Sequence, residues 1–170
     1  MVTRRQAREW ALQMLVEFDL NPPLTVDAAI DEFWEQQTQI ESEDLLAEQR
    51  EARVIFTSRD PKLLDSLATA RAFAEVRVKG VWEAREQLDR TLEGYLQNWS
   101  LYRLGTVERA VLRMGVWELT NCSDIPVPIV INESVDLAKW FSETKSGRFV
   151  NGVLDRFAKE LAEKPQEFTP

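Results

Sequence analysis

The fold class this sequence predicts is all-α, and three observations carry that reading. Apolar residues recur at three- and four-residue spacing in successive segments. Runs of alternating polarity are scarce, and six glycines in 170 residues leave few places for hairpin turns. With 44% hydrophobic content, the chain suits one domain with a real core, spanning residues 1 to 165 and followed by a short tail, 166 to 170.

The elements follow in order. Thr3 can cap a first helix whose apolar face is Ala7, Trp10, Ala11, Met14, Leu15 and Phe18, ended by Asn21-Pro22-Pro23. Val26, Ala29, Ile30, Phe33 and Trp34 outline a second helix. The charged stretch after it, within residues 36 to 60, fits either a solvated helix or a mobile insertion. Asp60-Pro61 reads as a cap followed by proline at the first helical position, and one or two helices then run to about Trp99, with Gly80 as a break between them. Thr106 caps a further helix from Val107 to Thr120. Pro126 and Pro128 disfavour helix in the residues before them, which places the next helix start near Ile129. Val130, Ser134, Leu137, Ala138 and Phe141 form its stripe. A Ser146-Gly147 break separates it from a last helix with Val150, Val153, Leu154, Phe157, Ala158 and Leu161 facing inward.

Composition narrows the function classes. There is no histidine and a single cysteine, Cys122, so neither a thiolate zinc cluster nor the commonest general base is available. No P-loop or G-x-G-x-x-G occurs. These absences predict a protein that is not an enzyme, with no catalytic residues, metal or cofactor. The first residues lack an export-signal pattern and no stretch is apolar enough for a membrane span, so the expectation is a cytoplasmic protein without a membrane partner.

The formal net charge of −8 at first argues against nucleic acid, but the acid is local. Glu17 to Glu51 holds eleven acidic residues against one basic, Arg50, whereas from Ala52 onward the two signs balance at seventeen each. A phosphate-binding protein needs a cationic patch, not a cationic total.

Three groups of residues are candidates for such work. Arg4, Arg5 and Arg8 fall along one edge of the first helix, where guanidiniums could hold phosphates; equally, they could form a solvated flank with an Arg5-Glu9 pair. Phe149, flanked by Lys145 and Arg148, could stack an unpaired base or sit in the core. Glu108 in a first helical turn suits the helix dipole, and Leu12 with Val16 lies off the main stripe as a small exposed apolar patch. Asn151-Gly152 within the last helix reads as a packing device, its glycine admitting a neighbouring helix. The six tryptophans read as core or core rim.

Four segments, in this order, carry a family resemblance: RRQARE from Arg4, RLGTVERAVLRMGVWEL from Arg103, PVPIVINESVDLAK from Pro126 and FVNGVLD from Phe149. Together they closely resemble the bacterial transcription antitermination factor NusB family. The resemblance covers residues 3 to 20 and 70 to 160 and implies a compact bundle of about seven helices. It implies that Arg4, Arg5 and Arg8 contact the boxA element of single-stranded leader RNA, with Phe149 stacking on it beside Lys145 and Arg148. It further implies that Glu108, with Leu12 and Val16, meets NusE, the small-subunit ribosomal protein that doubles as a transcription factor. Lys145 replaces an acidic residue common in the matching loop, which favours RNA. The implied function is transcription antitermination, in which the protein and NusE on boxA-like RNA act indirectly on the RNA polymerase elongation complex, notably at ribosomal RNA operons. Two alternatives stand beside it: a helical interaction module of the same fold with little RNA affinity, and a domain related to those of RNA cytosine methyltransferases, which would need a cofactor-binding domain beyond Pro170.

Overall fold

Helix after helix emerges where the apolar spacing demands one, and the described residues contain no strand. A computed structural model describes residues 1–39, 56–97, 100–142 and 144–163. Among these are α1 (Arg4–Leu20), α2 (Val26–Gln39), α3 (Pro61–Glu83), α4 (Arg85–Glu93), α5 (Thr106–Asn121), α6 (Val127–Phe141) and α7 (Thr144–Glu163), with one 3₁₀ turn at Leu101–Arg103. Residues 40 to 55 of the charged stretch, Trp99 and the tail 166 to 170 lie outside the described residues. The chain forms two compact units, Met1–Lys79 and Gly80–Pro170.

In the first unit, Thr3 caps α1 as its sequence requires, its Oγ1 accepting from the Gln6 amide at 3.2 Å. Ala7, Trp10, Ala11, Met14, Leu15 and Phe18 form the expected buried face. Arg8 and Leu12 beside it, one row with Leu15, are buried as well. α2 contributes Ile30, Phe33 and Trp34 to the core, with Trp34 edge-on to Trp10 at 5.4 Å and its indole N–H donating to Glu75 at 2.9 Å. Asp60 accepts from the Lys62 amide at 3.0 Å and so opens α3, with Pro61 at the first position.

α3 does not break at Gly80. In the second unit the Trp117 indole of α5 lies so close that any Cβ at Gly80 would overlap it, so the glycine marks a close approach within a continuous helix. α5 is capped at Gly105 rather than Thr106. α6 starts at Val127, two residues before the expected point, with Pro126 as cap and Pro128 accommodated in the first turn where no amide partner is needed. α7 runs through Ser146-Gly147, and the chain breaks earlier, at Ser142; Gly147 lies under the Lys139 stem and serves packing. Gly115 is likewise pressed on by Leu154 and the Ser134 hydroxyl. Val130, Leu137, Ala138, Val150 and Leu154 fill the core among these helices. A buried pair ties α4 to α5: Arg113 donates to both oxygens of Asp89, at 2.6 and 2.7 Å.

Candidate nucleic-acid interface

The three N-terminal arginines do not share one exposed edge. Arg4 is exposed and Arg5 pairs with Glu9 at 3.5 Å, whereas Arg8 is only 3% exposed. The wheel explains the difference. Arg4 and Arg8 continue the row of Leu12 and Leu15, which turns into the interior after one helical turn, while Arg5 belongs to the next row with Glu9. Both Arg4 and Arg8 stand against the Phe73 ring of α3, at 5.5 and 5.1 Å, and Arg77 covers the same ring at 3.2 Å. A cleft of about 540 Å³ adjoins this cluster, lined by Arg4, Lys62, Ser66 and Phe73 among others. Lys62 and Phe73 were not legible as site residues, since nothing local in the sequence ties them to Arg4.

The other predicted cluster holds together on one helix. Lys145 and Arg148 are exposed on α7, and Phe149 keeps 38% of its surface in solvent at a position where the neighbouring Val150 is fully buried. Lys145, Phe149, Gly152 and Arg156 recur at four- and three-residue steps and are all exposed, so a single row presents cations, an aromatic ring and a gap. Asn151-Gly152 is therefore not the packing device that its sequence suggested: both residues are exposed, and a Cβ at Gly152 would meet nothing within 4 Å. Arg156 joins the row unforeseen, although its helical step from Phe149 was available. It also pairs with Glu160 at 3.1 Å and lies over the Tyr95 ring at 5.3 Å.

Glu108 is half-buried in the first turn of α5 and accepts from the Ser142 and Ser146 hydroxyls, the latter at 2.6 Å. Burial pushes its carboxyl upward, but the two serine hydroxyls and its own amide outweigh burial and leave it below the ordinary carboxylate value. The apolar patch expected beside it in function is corrected. Leu12 is 1% exposed, because α1 is buried across two rows, and only Val16 stays half-exposed. Trp140 departs from the core reading in the other direction, at 71% exposed near the end of α6. No described helix is long and apolar enough to cross a membrane, and no group of three His, Cys, Asp or Glu residues among the described residues could hold a metal ion.

Comparison with known proteins gives one consistent result. The sequence pattern of the NusB family matches residues 5–159. The transcription antitermination protein NusB of a Nitratiruptor species is 35% identical over 167 residues, covering 98% of this chain and 99% of that protein. The T. maritima NusB crystal structure superimposes with a TM-score of 0.69 at 30% identity, over 94% of this chain and 92% of that one. A crystal structure of the antitermination factors NusB and NusE in complex with dsRNA superimposes with a TM-score of 0.68 at 28% identity, covering 92% and 96% of the two chains. A family pattern running from the first turn of α1 almost to the end of α7, carried on the same helical fold, means that this chain belongs to the NusB family of transcription antitermination factors.

Proposed function

We propose that this protein binds boxA-like single-stranded leader RNA together with ribosomal protein NusE, and that the assembly acts on the RNA polymerase elongation complex, notably at ribosomal RNA operons. The observation that carries the RNA part is the exposed row of α7, in which Phe149 follows Lys145, has Arg148 as its exposed neighbour and opens onto Gly152 and Arg156. Single strands are held in this manner elsewhere, by bases stacked on aromatic rings with cations along the backbone. A glycine that costs a helix about 1 kcal/mol and faces empty space leaves room for a ligand's backbone. In unit Met1–Lys79, Arg4 and Arg5 supply phosphate contacts, and Arg8 acts behind them as part of the Phe73 cluster. NusE is the proposed partner of Glu108 and of Val16; Leu12 supports the α1 core instead. The solved complex of a relative with NusE and dsRNA supports NusE and, in general terms, RNA as partners.

Titration of a labelled boxA-like oligonucleotide with the purified protein, alone and with NusE, tests the proposal. Specific binding that tightens when NusE is added is the expected result. NusE binding with no RNA affinity in either arm would instead favour an interaction module of this fold, for which the net charge of −8 is the supporting observation.

A further inference from the structure

The carboxylate expected to meet a protein partner is already engaged within the unit Gly80–Pro170. One oxygen of Glu108, Oε1, accepts from two hydroxyls that flank the junction between α6 and α7. Ser142 is the residue on which α6 ends, in extended conformation, its amide donating to the Ala138 carbonyl at 3.0 Å. Ser146 lies in the first turn of α7, and the two hydroxyls are 3.3 Å apart. Hydrogen bonds to an ionised acceptor are stronger than neutral ones, so Glu108 grips both sides of the junction with the best acceptor the chain can offer there. Its other oxygen folds back over Gly105, where any Cβ would overlap it, which makes the unsubstituted cap a condition of this conformation. A second restraint acts one residue further on: the Lys139 stem lies over Gly147, where a Cβ would come within 2.7 Å of its Cγ.

The residues placed on RNA sit within a turn of these restraints. Lys145 immediately precedes Ser146, and Arg148 and Phe149 follow Gly147 directly. Successive residues of an α-helix are about 100° apart, so a slip of one residue at the start of α7 would turn Phe149 from its exposed row toward the side occupied by Val150. We propose that Glu108 is a positioning residue for RNA binding, fixing the start and rotation of α7 through Ser142 and Ser146 so that Lys145, Arg148 and Phe149 present one register to the strand. This inference rests on the RNA reading of α7 given above. It gives Glu108 a role in the isolated protein, separate from any contact with NusE.

The serines provide the test, because changing them leaves the Glu108 carboxylate in place. Wild type, S142A/S146A, S142T/S146T and F149A are titrated with the boxA-like oligonucleotide without NusE, and hydrogen exchange is followed at the amides of residues 145 to 150. S142A/S146A is expected to weaken binding by about 3- to 10-fold, as a positioning change of this kind does. Its exchange should accelerate in that segment alone, and threonine at both positions, which restores the hydroxyls, should recover most of the affinity. Wild-type affinity in S142A/S146A while F149A binds weakly would overturn the positioning role and leave the RNA reading intact. So would a loss that threonine does not recover. If the double variant unfolds, S146A alone is measured against the same criteria. No binding by wild type would overturn the RNA reading and this inference with it.

Discussion

A cation near a helix start can lie on an aromatic ring and still reach solvent: Arg4 and Arg8, on a single row of α1, both stand against one ring, but only Arg4 stays exposed. Their spacing was plain in the sequence; the side chain that receives them, Phe73, was not, because it is brought in by α3 from nearly seventy residues away. Phe149 posed the opposite problem, since an aromatic beside a buried valine reads equally well as core, and only packing decides. Its exposure makes a clear prediction. Phe149→Leu should lower RNA affinity by about 1 to 3 kcal/mol, the worth of one base stack, with the melting temperature almost unmoved. Thermal denaturation and RNA titration of the same preparation check it; an affinity loss that merely tracks unfolding would return Phe149 to the core. Tyr95 offers a test by pH. Burial raises its pKa first, and the hydrogen bond it donates to Glu160 at 2.6 Å raises it further. A folded-state value above the unfolded one means that the contribution to stability is complete below the ordinary tyrosine value of about 10 and is lost as pH rises through the higher folded value. Wild type should therefore lose more stability than Tyr95→Phe as pH rises above the ordinary tyrosine value of about 10, measured by denaturant melts.

At the level of the helix, the sequence marked five of the helices singly, left one or two open between Pro61 and Trp99 and missed the 3₁₀ turn, and its errors of placement gather at glycines. Gly80 and Gly147 looked like breaks and are close approaches, to Trp117 and to Lys139, whereas Gly152 looked like a close approach and faces open space. Glycine announces an unusual demand without saying whether it comes from the backbone, a neighbouring helix or a ligand, and only the position of the other helices tells these apart. Open and crowded glycines therefore respond differently to a methyl group. Gly152→Ala should raise stability by about 0.5 to 1 kcal/mol, as for any unhindered helical glycine, and should weaken RNA binding if a strand approaches α7 there. Gly80→Ala should destabilise by about 1 to 3 kcal/mol, because the indole of Trp117 must move. Equilibrium unfolding of both variants measures the contrast; a stabilised Gly80→Ala would show that the indole yields freely. The α6–α7 junction was misplaced for a related reason. Its stop is set by Ser142 and the distant Glu108, a tertiary contact that no local pattern in the intervening helix encodes.

Across the whole chain, an acidic total coexists with local cationic surfaces, and the −8 charge repels an approaching polyanion chiefly over distance. Arg4 and Arg5 are the N-terminal cations left for phosphate once Arg8 is buried, so Arg4→Ala/Arg5→Ala should make the dependence of log affinity on log salt shallower by about 1.4, at roughly 0.7 per phosphate on a single strand. Titrations at several salt concentrations measure the slope, and an unchanged slope would leave both as solvated residues. The Asp89–Arg113 fork bears on how such a sequence can drift. Losing either partner alone strands a buried charge, at about 3 to 5 kcal/mol, whereas a well-packed apolar pair replacing both is often neutral or better. The two positions are therefore joined by a mutational valley: each single step descends by a large fraction of the stability of many domains, and the far side is reached with least loss by changing both together. A descendant of this chain can alter its surface charge residue by residue, but it inherits the seam between α4 and α5 as a unit.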